Sequence, residues 1–297
     1  MSLLHRPPVA LQVERGQLVC PRTLAPLRFC GDRLESVTGE SSYPVINGVP
    51  VLFADEDRVH GDLARQGGGM VAEYTGKTGS WLRTRWHRWM SRVGDMRSPA
   101  SEEAFQAIFR ELPDGALCLS VGGGPTRVHP ALVNLNIGLF PNVDVAADAY
   151  RLPYADNVVD AVHCEAVLEH LEFPEAAVRE MYRVLRPGGR LFAATPFLQA
   201  FHGYPDHYQN FTLTGHVRLF ERAGFSVLAA GPCVGPAFAL RDLTANYLRK
   251  TIPGLAGKLA AAFWSLVTIP LLYLDRLSHR RASSSDIAST TFVHAVK

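Results

Sequence analysis

The chain has 297 residues, 47% hydrophobic and 20% charged, with a formal net charge of +2. Such a composition is ordinary for a globular protein of one large domain with a small one, or one decorated domain, and it makes no electrostatic case for a nucleic-acid partner. Five scattered cysteines, Cys20, Cys30, Cys118, Cys164 and Cys233, include no CxxC pair, which argues against a disulfide framework and for a reducing, cytoplasmic compartment. Met1–Ala10 holds two prolines and no apolar run of signal-peptide length.

Residues 11–53 read as a small β-rich module. The runs LVCPRTLAPLRF, RLESVTG and SYPVINGVPVLF are short, apolar and separated by Pro, Gly, Ser and Asn. Residues 54–100 form a connector. His60–Met70 is polar and glycine-rich, and Trp81, Trp86 and Trp89 lie at helical spacing beside Arg83, Arg85, His87, Arg88 and Arg92. A helix packed by its tryptophans, with a solvated basic face, is favoured there over a ligand contact.

The spacing then predicts a helix over Ser101–Leu112, N-capped by Ser101 and stopped by Pro113-Asp-Gly. Strands follow at Ala116–Val121, Leu132–Asn136, Val143–Ala146, Val159–Glu165, Arg190–Thr195 and Phe225–Ala230. Pro125–Ala131 is too short for a three-turn crossover helix, so the first crossover is expected to be a loop. Helices are expected at Pro174–Arg186, with Pro187-Gly-Gly as the stop, and at Gly215–Ala223. Residues 237–289 read as a helical insertion, with a polar loop at Ser283–Ser289, and residues 290–297 as a last strand, Thr290–Val296. Within the insertion, Leu259–Leu274 is uncharged and interrupted by Pro270, too short to span a bilayer. A buried or capping helix ranks first there, with an interfacial membrane contact as the alternative.

The ordered series VGGGPT, VNLNIG, DAYRLPYAD, VVDAVHCEAVLEH and RVLRPGG resembles class I S-adenosylmethionine-dependent methyltransferases over about half the chain. The resemblance implies an α/β fold, a Rossmann-like methyltransferase sheet with its core over 101–236 and cofactor at the carboxyl ends of the strands. The frame CPRTLAPL, RLES and YPVINGVPVLF resembles the zinc-ribbon-derived methyltransferase activators. Those need paired CxxC ligands for tetrahedral zinc. Thr23 and Ser36 stand where ligands would be, so no zinc is expected.

The resemblance also implies roles for single residues. Gly122, Gly123 and Gly124 would let the loop touch S-adenosyl-L-methionine without side-chain clash. Asn136 stands where the family has an acid for the ribose hydroxyls, Ser120 where strand one has its acid, and Thr126 where the loop has its third glycine. Asp148 matches the acid that takes the adenine amino group, flanked by Ala149 and Tyr150, and Glu165 lies near the methionine end. After the fifth strand, PFLQAFHGYPDHYQNFT gathers His202, Asp206, His207 and Tyr208. His202 is read as base or acceptor contact, with Asp206 orienting a histidine. A loop that only bonds itself ranks second and a divalent metal third; no metal ligand is assigned. The expected partner is a small-molecule acceptor, apolar or glycolipid-like, methylated at oxygen. An RNA methyltransferase is opposed by the net charge; a degenerate fold that binds a partner is favoured by Ser120, Thr126 and Asn136 but opposed by the intact DAYRLP and LEH segments and by the histidine cluster.

Overall fold

The apolar runs pair into a single sheet in the computed structural model, which describes residues 5–54, 97–203, 206–279 and 281–297. Its strands are β1 (Leu27–Cys30), β2 (Arg33–Ser36), β3 (Ser42–Ile46), β4 (Val49–Leu52), β5 (Cys118–Val121), β6 (Leu132–Asn136), β7 (Val145–Ala147), β8 (Val159–Glu165), β9 (Leu185–Pro196), β10 (Ser226–Val234) and β11 (Thr290–Val296). Their order is β1-β2-β3-β4-β7-β6-β5-β8-β9-β11-β10. From β4 to β9 neighbours run parallel, and β11 lies antiparallel between β9 and β10. This is a mixed α/β sheet with a parallel, Rossmann-like centre.

The period of two along each strand sorts the core onto two faces. Leu119, Val121, Val162 and Ala193 pack with Val178 and Met181 of α3 (Pro174–Val184) and with Leu219 and Phe220 of α4 (Leu213–Arg222). Cys118, Ala161, Phe192 and Ala194 face the other way, onto Phe105 of α2 (Pro99–Ala107) and Ile108 beyond its end. Ser98, not Ser101, caps α2: Ser101 N–H donates to Ser98 Oγ at 3.1 Å, and Ser101 is buried with its hydroxyl on Cys233 Sγ. Pro99 at the first helical position fits that start. The Pro187-Gly-Gly stop does not end α3; the helix closes at Val184, and Leu185 already pairs with Val159 as β9 begins. The first crossover is a loop, as its length required.

The N-terminal strands extend this sheet. Val51 and Leu52 of β4 register parallel with Ala146 and Ala147 of β7. Leu18, Cys20, Leu34, Tyr43 and Leu52 share a core with Leu119 and Tyr154. Beside α1 (Val9–Glu14), the buried Tyr154 hydroxyl donates to Gln12 Oε1 at 2.9 Å. Cys20 is buried with its sulfur 3.2 Å from the Tyr43 hydroxyl, whereas Cys30 is exposed. The connector tryptophans and the basic run lie outside the described residues.

At the other end, α5 (Pro236–Thr251), α6 (Gly254–Val267), α7 (Ile269–Leu272) and α8 (Asp275–Ser278) fold back on one another. The buried carboxylate of Asp275 accepts from Ala237 N–H at 2.9 Å and Phe238 N–H at 3.2 Å, capping α5 from a distant part of the chain. Arg241 donates to Ser265 O and Trp264 Nε1 to Arg241 O, clamping α5 to α6. Of the buried or capping helix expected over Leu259–Leu274, burial is corrected here, and the run is divided between α6 and α7. Ala261 and Leu272 are buried, but Leu259 is 60% and Phe263 67% exposed. The polar loop expected at Ser283–Ser289 is a 3-10 segment, Ala282–Ile287. Among the described residues no single helix is long and apolar enough to cross a membrane. The pair Gly254–Val267 and Ile269–Ser278, bent by 49°, passes that test only when joined.

Candidate functional site

Strand order reverses at β5, with β6 and β7 on one side and β8 and β9 on the other. In parallel sheets the crevice at such a reversal, beyond the carboxyl ends of the strands, is where ligands bind. That rim carries Asp148 after β7, Asn136 at the end of β6, Gly122–Gly124 after β5, Glu165 at the end of β8 and Thr195 near the end of β9.

The three glycines differ in what requires them. Gly122 has φ +74°, and a Cβ there would lie 2.1 Å from Val167 Cγ2. At Gly123 a Cβ would lie 2.8 Å from the Asn134 amide. At Gly124 it would meet nothing within 4 Å, so this glycine leaves its side of the loop open. Asn136 closes the loop from β6: its Nδ2 donates to Gly123 O at 3.1 Å and its Oδ1 accepts from Gly138 N–H at 3.0 Å. Asp148 Oδ1 accepts from Tyr150 N–H at 2.9 Å and so shapes the turn through Ala149. The Tyr150 hydroxyl in turn accepts from Phe173 N–H at 3.1 Å.

Glu165 is bound within the chain. Arg97 Nη2 donates to both its oxygens, at 2.8 and 2.9 Å, and His163 Nε2 stands 3.3 Å away. The other nitrogen of His163 lies 3.1 Å from Ser120 Oγ, so a polar chain runs from Ser120 to Arg97. Burial works to raise the Glu165 carboxyl, but the His163 hydrogen bond and the Arg97 charge outweigh it and hold it below the usual range.

Beyond β8 the rim is built from side chains. The 3-10 turn Leu168–His170 places Glu169 inside the protein, fully buried, with Thr195 Oγ1 donating to Oε2 at 3.2 Å. Its other oxygen, Oε1, has no hydrogen-bond partner among the described residues and lies 3.8 Å from both His170 Nε2 and His202 Nε2. The loop after β9 is tied down at Phe211 N–H on Pro196 O and at Tyr208 N–H on Glu169 O. His207 accepts from His202 N–H at 3.2 Å and is paired with Asn210 Oδ1 at 2.7 Å. Asp206 is exposed; its backbone carbonyl, 2.5 Å from His170 Nδ1, is what orients a histidine. The Glu169 carboxylate raises His202 above the ordinary imidazole value against the effect of burial.

The structure thus gathers His202 and His207 beside His170, and sets Gly122–Gly124, Asn136, Asp148, Ala149, Tyr150 and Glu165 along the adjoining strand ends. Three residues escaped the sequence reading. Arg97 reaches Glu165 across 68 positions, and no local pattern announces it. Asn134 lies under the loop, buried, with neither amide atom paired among the described residues. Glu169 stands near the end of the VVDAVHCEAVLEH run, whose pattern does not tell a buried acid from a surface one.

Comparison with known proteins comes to the same strands. Residues 128–193 match the family described as "Methyltransferase domain". The ubiquinone/menaquinone biosynthesis C-methyltransferase UbiE of Klebsiella pneumoniae is 40% identical over 80 residues, 24% of this chain and 32% of the relative. The demethylmenaquinone methyltransferase of Mycolicibacterium paratuberculosis is 57% identical over 47 residues, 16% of this chain and 20% of the relative. The chain therefore spans a third or less of the length of these curated relatives. Among solved structures, the phosphoethanolamine N-methyltransferase 2 of Haemonchus contortus with S-adenosyl-L-methionine is similar at TM-score 0.40 and 15% identity, covering 66% of this chain and 52% of that one.

Proposed function

We propose that the protein is an S-adenosyl-L-methionine-dependent methyltransferase acting on an apolar small-molecule acceptor at oxygen. The observation that carries this reading is the convergence, at the reversal point of a parallel sheet, of an open glycine loop, the Asp148 turn and a cluster of histidines. The residues fit the cofactor. Gly124 leaves room for close backbone approach, Asn134 offers an unanswered buried amide beneath the loop, and Asp148 stands at the adenine end. Asn136 acts by holding the loop closed, and Glu165, matched by Arg97, forms a fixed wall at the methionine end.

Bound S-adenosylmethionine supplies an electrophilic methyl group on its sulfonium. The task left to the chain is alignment, which in well-oriented reactions supplies much of the acceleration. We place the acceptor hydroxyl against His202, which is 42% exposed, and His202 Nε2 takes its proton, the resulting imidazolium being matched by the Glu169 carboxylate. Asp206 and His207 act by positioning those rings.

The apolar acceptor class is supported by α6. Leu255, Leu259, Phe263 and Leu266 recur at helical spacing and are 49–69% exposed, with Arg249, Lys250 and Lys258 alongside. We place this face in the headgroup boundary of an anionic bilayer, within reach of a lipid-dissolved acceptor. On phosphatidylglycerol vesicles, Leu259→Asp with Phe263→Asp lowers flotation about tenfold or more; equal flotation would remove the membrane contact.

The test of the activity is an assay with S-adenosylmethionine and a panel of phenolic and quinol acceptors in detergent micelles, with products read by mass spectrometry. A methyl ether whose yield collapses in Asp148→Ala supports the reading. A ring-carbon product would move the site of transfer. Cofactor binding with no product from any acceptor would favour the partner-binding alternative.

A further inference from the structure

The Glu169 pocket sets three electron-rich atoms facing one another. Glu169 Oε1 is fully buried without a hydrogen-bond partner among the described residues, and His170 Nε2 and His202 Nε2 each lie 3.8 Å from it. The tautomers are set from behind. His170 Nδ1 donates to Asp206 O at 2.5 Å, and His202 Nδ1 donates to Ala200 O at 2.9 Å. A neutral imidazole that donates from Nδ1 presents a lone pair at Nε2. With both rings neutral, the two nitrogens and the carboxylate oxygen point lone pairs into one space, all within 4.8 Å; a proton on His202, which Glu169 favours, is the competitor for that space. A divalent cation in that space would satisfy all three atoms at once. A ring N–H tied to a backbone carbonyl is also how metal-bound histidines are oriented. His207 stands apart from this set, because both of its nitrogens are engaged elsewhere.

We propose that Glu169, His170 and His202 bind a first-row divalent transition metal. Two imidazoles and a carboxylate suit Zn(II), Fe(II), Co(II) or Mn(II) and leave coordination positions open. Bonds of about 2.1 Å place ligand atoms at most about 4.2 Å apart, so closure asks only a small turn of the His202 ring. That ring is 42% exposed, so it can turn and solvent reaches the cluster from its side. With a metal in place His202 would be a ligand and not the base proposed for the metal-free site; an acceptor hydroxyl beside it would then lose its proton to water, and the metal would supply the charge that stabilises the oxygen anion. This last step rests on the methyltransferase reading; the metal site does not.

The test is titration of the full metal-free chain with Co(II), followed by its visible d–d absorption. One equivalent is taken up, and Glu169→Gln and His202→Ala each weaken uptake about tenfold or more. Because Glu169→Gln disturbs a buried turn, His202→Ala on the surface loop decides if the first variant misfolds. No d–d bands from folded protein at millimolar Co(II), or uptake unchanged in His202→Ala, would overturn the site. S-adenosylhomocysteine binding measured on the same sample separates the two readings, since it persists without Co(II) if only the metal site is wrong.

Discussion

At the β5–β6 end of the rim, the chain closes its own loop: Asn136 holds Gly123 and Gly138, and Val167 packs where Gly122 has no side chain, leaving the buried Asn134 amide beneath the loop unpaired among the described residues. At the β8–β9 end the reverse holds, with lone pairs of Glu169, His170 and His202 facing one another. The first region is fixed before any ligand arrives. The second is arranged around something positive. Substitutions of the closing contacts at the first should therefore be felt as stability, and substitutions at the open Gly124 or at the second as binding.

The largest effect is expected at Gly122. Gly122→Ala forces a Cβ into Val167 at φ +74° and should cost about 3 kcal/mol or more in urea unfolding. Adding Val167→Ala should recover the clash but not the backbone strain, leaving about 1 kcal/mol. Full recovery would show the loop to be softer than its packing implies.

Next comes a contrast between two histidines. His216 on α4 is fully buried, 3.0 Å from Thr291 Oγ1, and burial pushes it down to about 3. The unfolded chain then protonates first, so stability is complete above about pH 6.5 and falls as pH drops towards 3. Between pH 7 and 5 the loss is about 2 kcal/mol, and His216→Gln should flatten that slope. His202, raised by Glu169, has the opposite sign: its contribution is present below about pH 6.5 and is lost as pH rises through its folded value. Partial exposure keeps that term small. A stability profile with no fall on acidification in the wild type would contradict the buried neutral state of His216.

A smaller effect separates clamp from ligand at Asn136. Asn136→Asp restores the acid that the family resemblance expects, yet sets a carboxylate against Gly123 O in place of a donated bond. The expected result is a loss of about 1 kcal/mol and no gain in S-adenosylhomocysteine affinity. Tighter binding would reassign Asn136 to the ligand.

Much of the sheet was readable because buried parallel strands are continuous apolar runs. Leu132–Asn136, Val159–Glu165 and Thr290–Val296 begin and end where the pattern does. The failures have local causes. Leu185 joined β9 because the sheet offered it Val159, overriding a Pro-Gly-Gly stop. Ser98 and Ser101 compete as caps three residues apart, and Pro99 was the signal that decided between them. On the rim, the glycines and Asp148 were legible as motifs. What occupies Glu165 and Asn136 was not, because Arg97, Gly123 and Gly138 are brought there only by the fold.

The smallest expected change in stability accompanies the sharpest test. Gly124 has open space around it, so Gly124→Val should stay within about 0.5 kcal/mol of the wild type. Calorimetric titration with S-adenosylhomocysteine should give micromolar binding to the wild type, weakened tenfold or more in Gly124→Val and in Asp148→Ala (about 1.4 kcal/mol or more). No binding by the folded wild type, or equal binding by all three proteins, would contradict the placement of the cofactor on this rim.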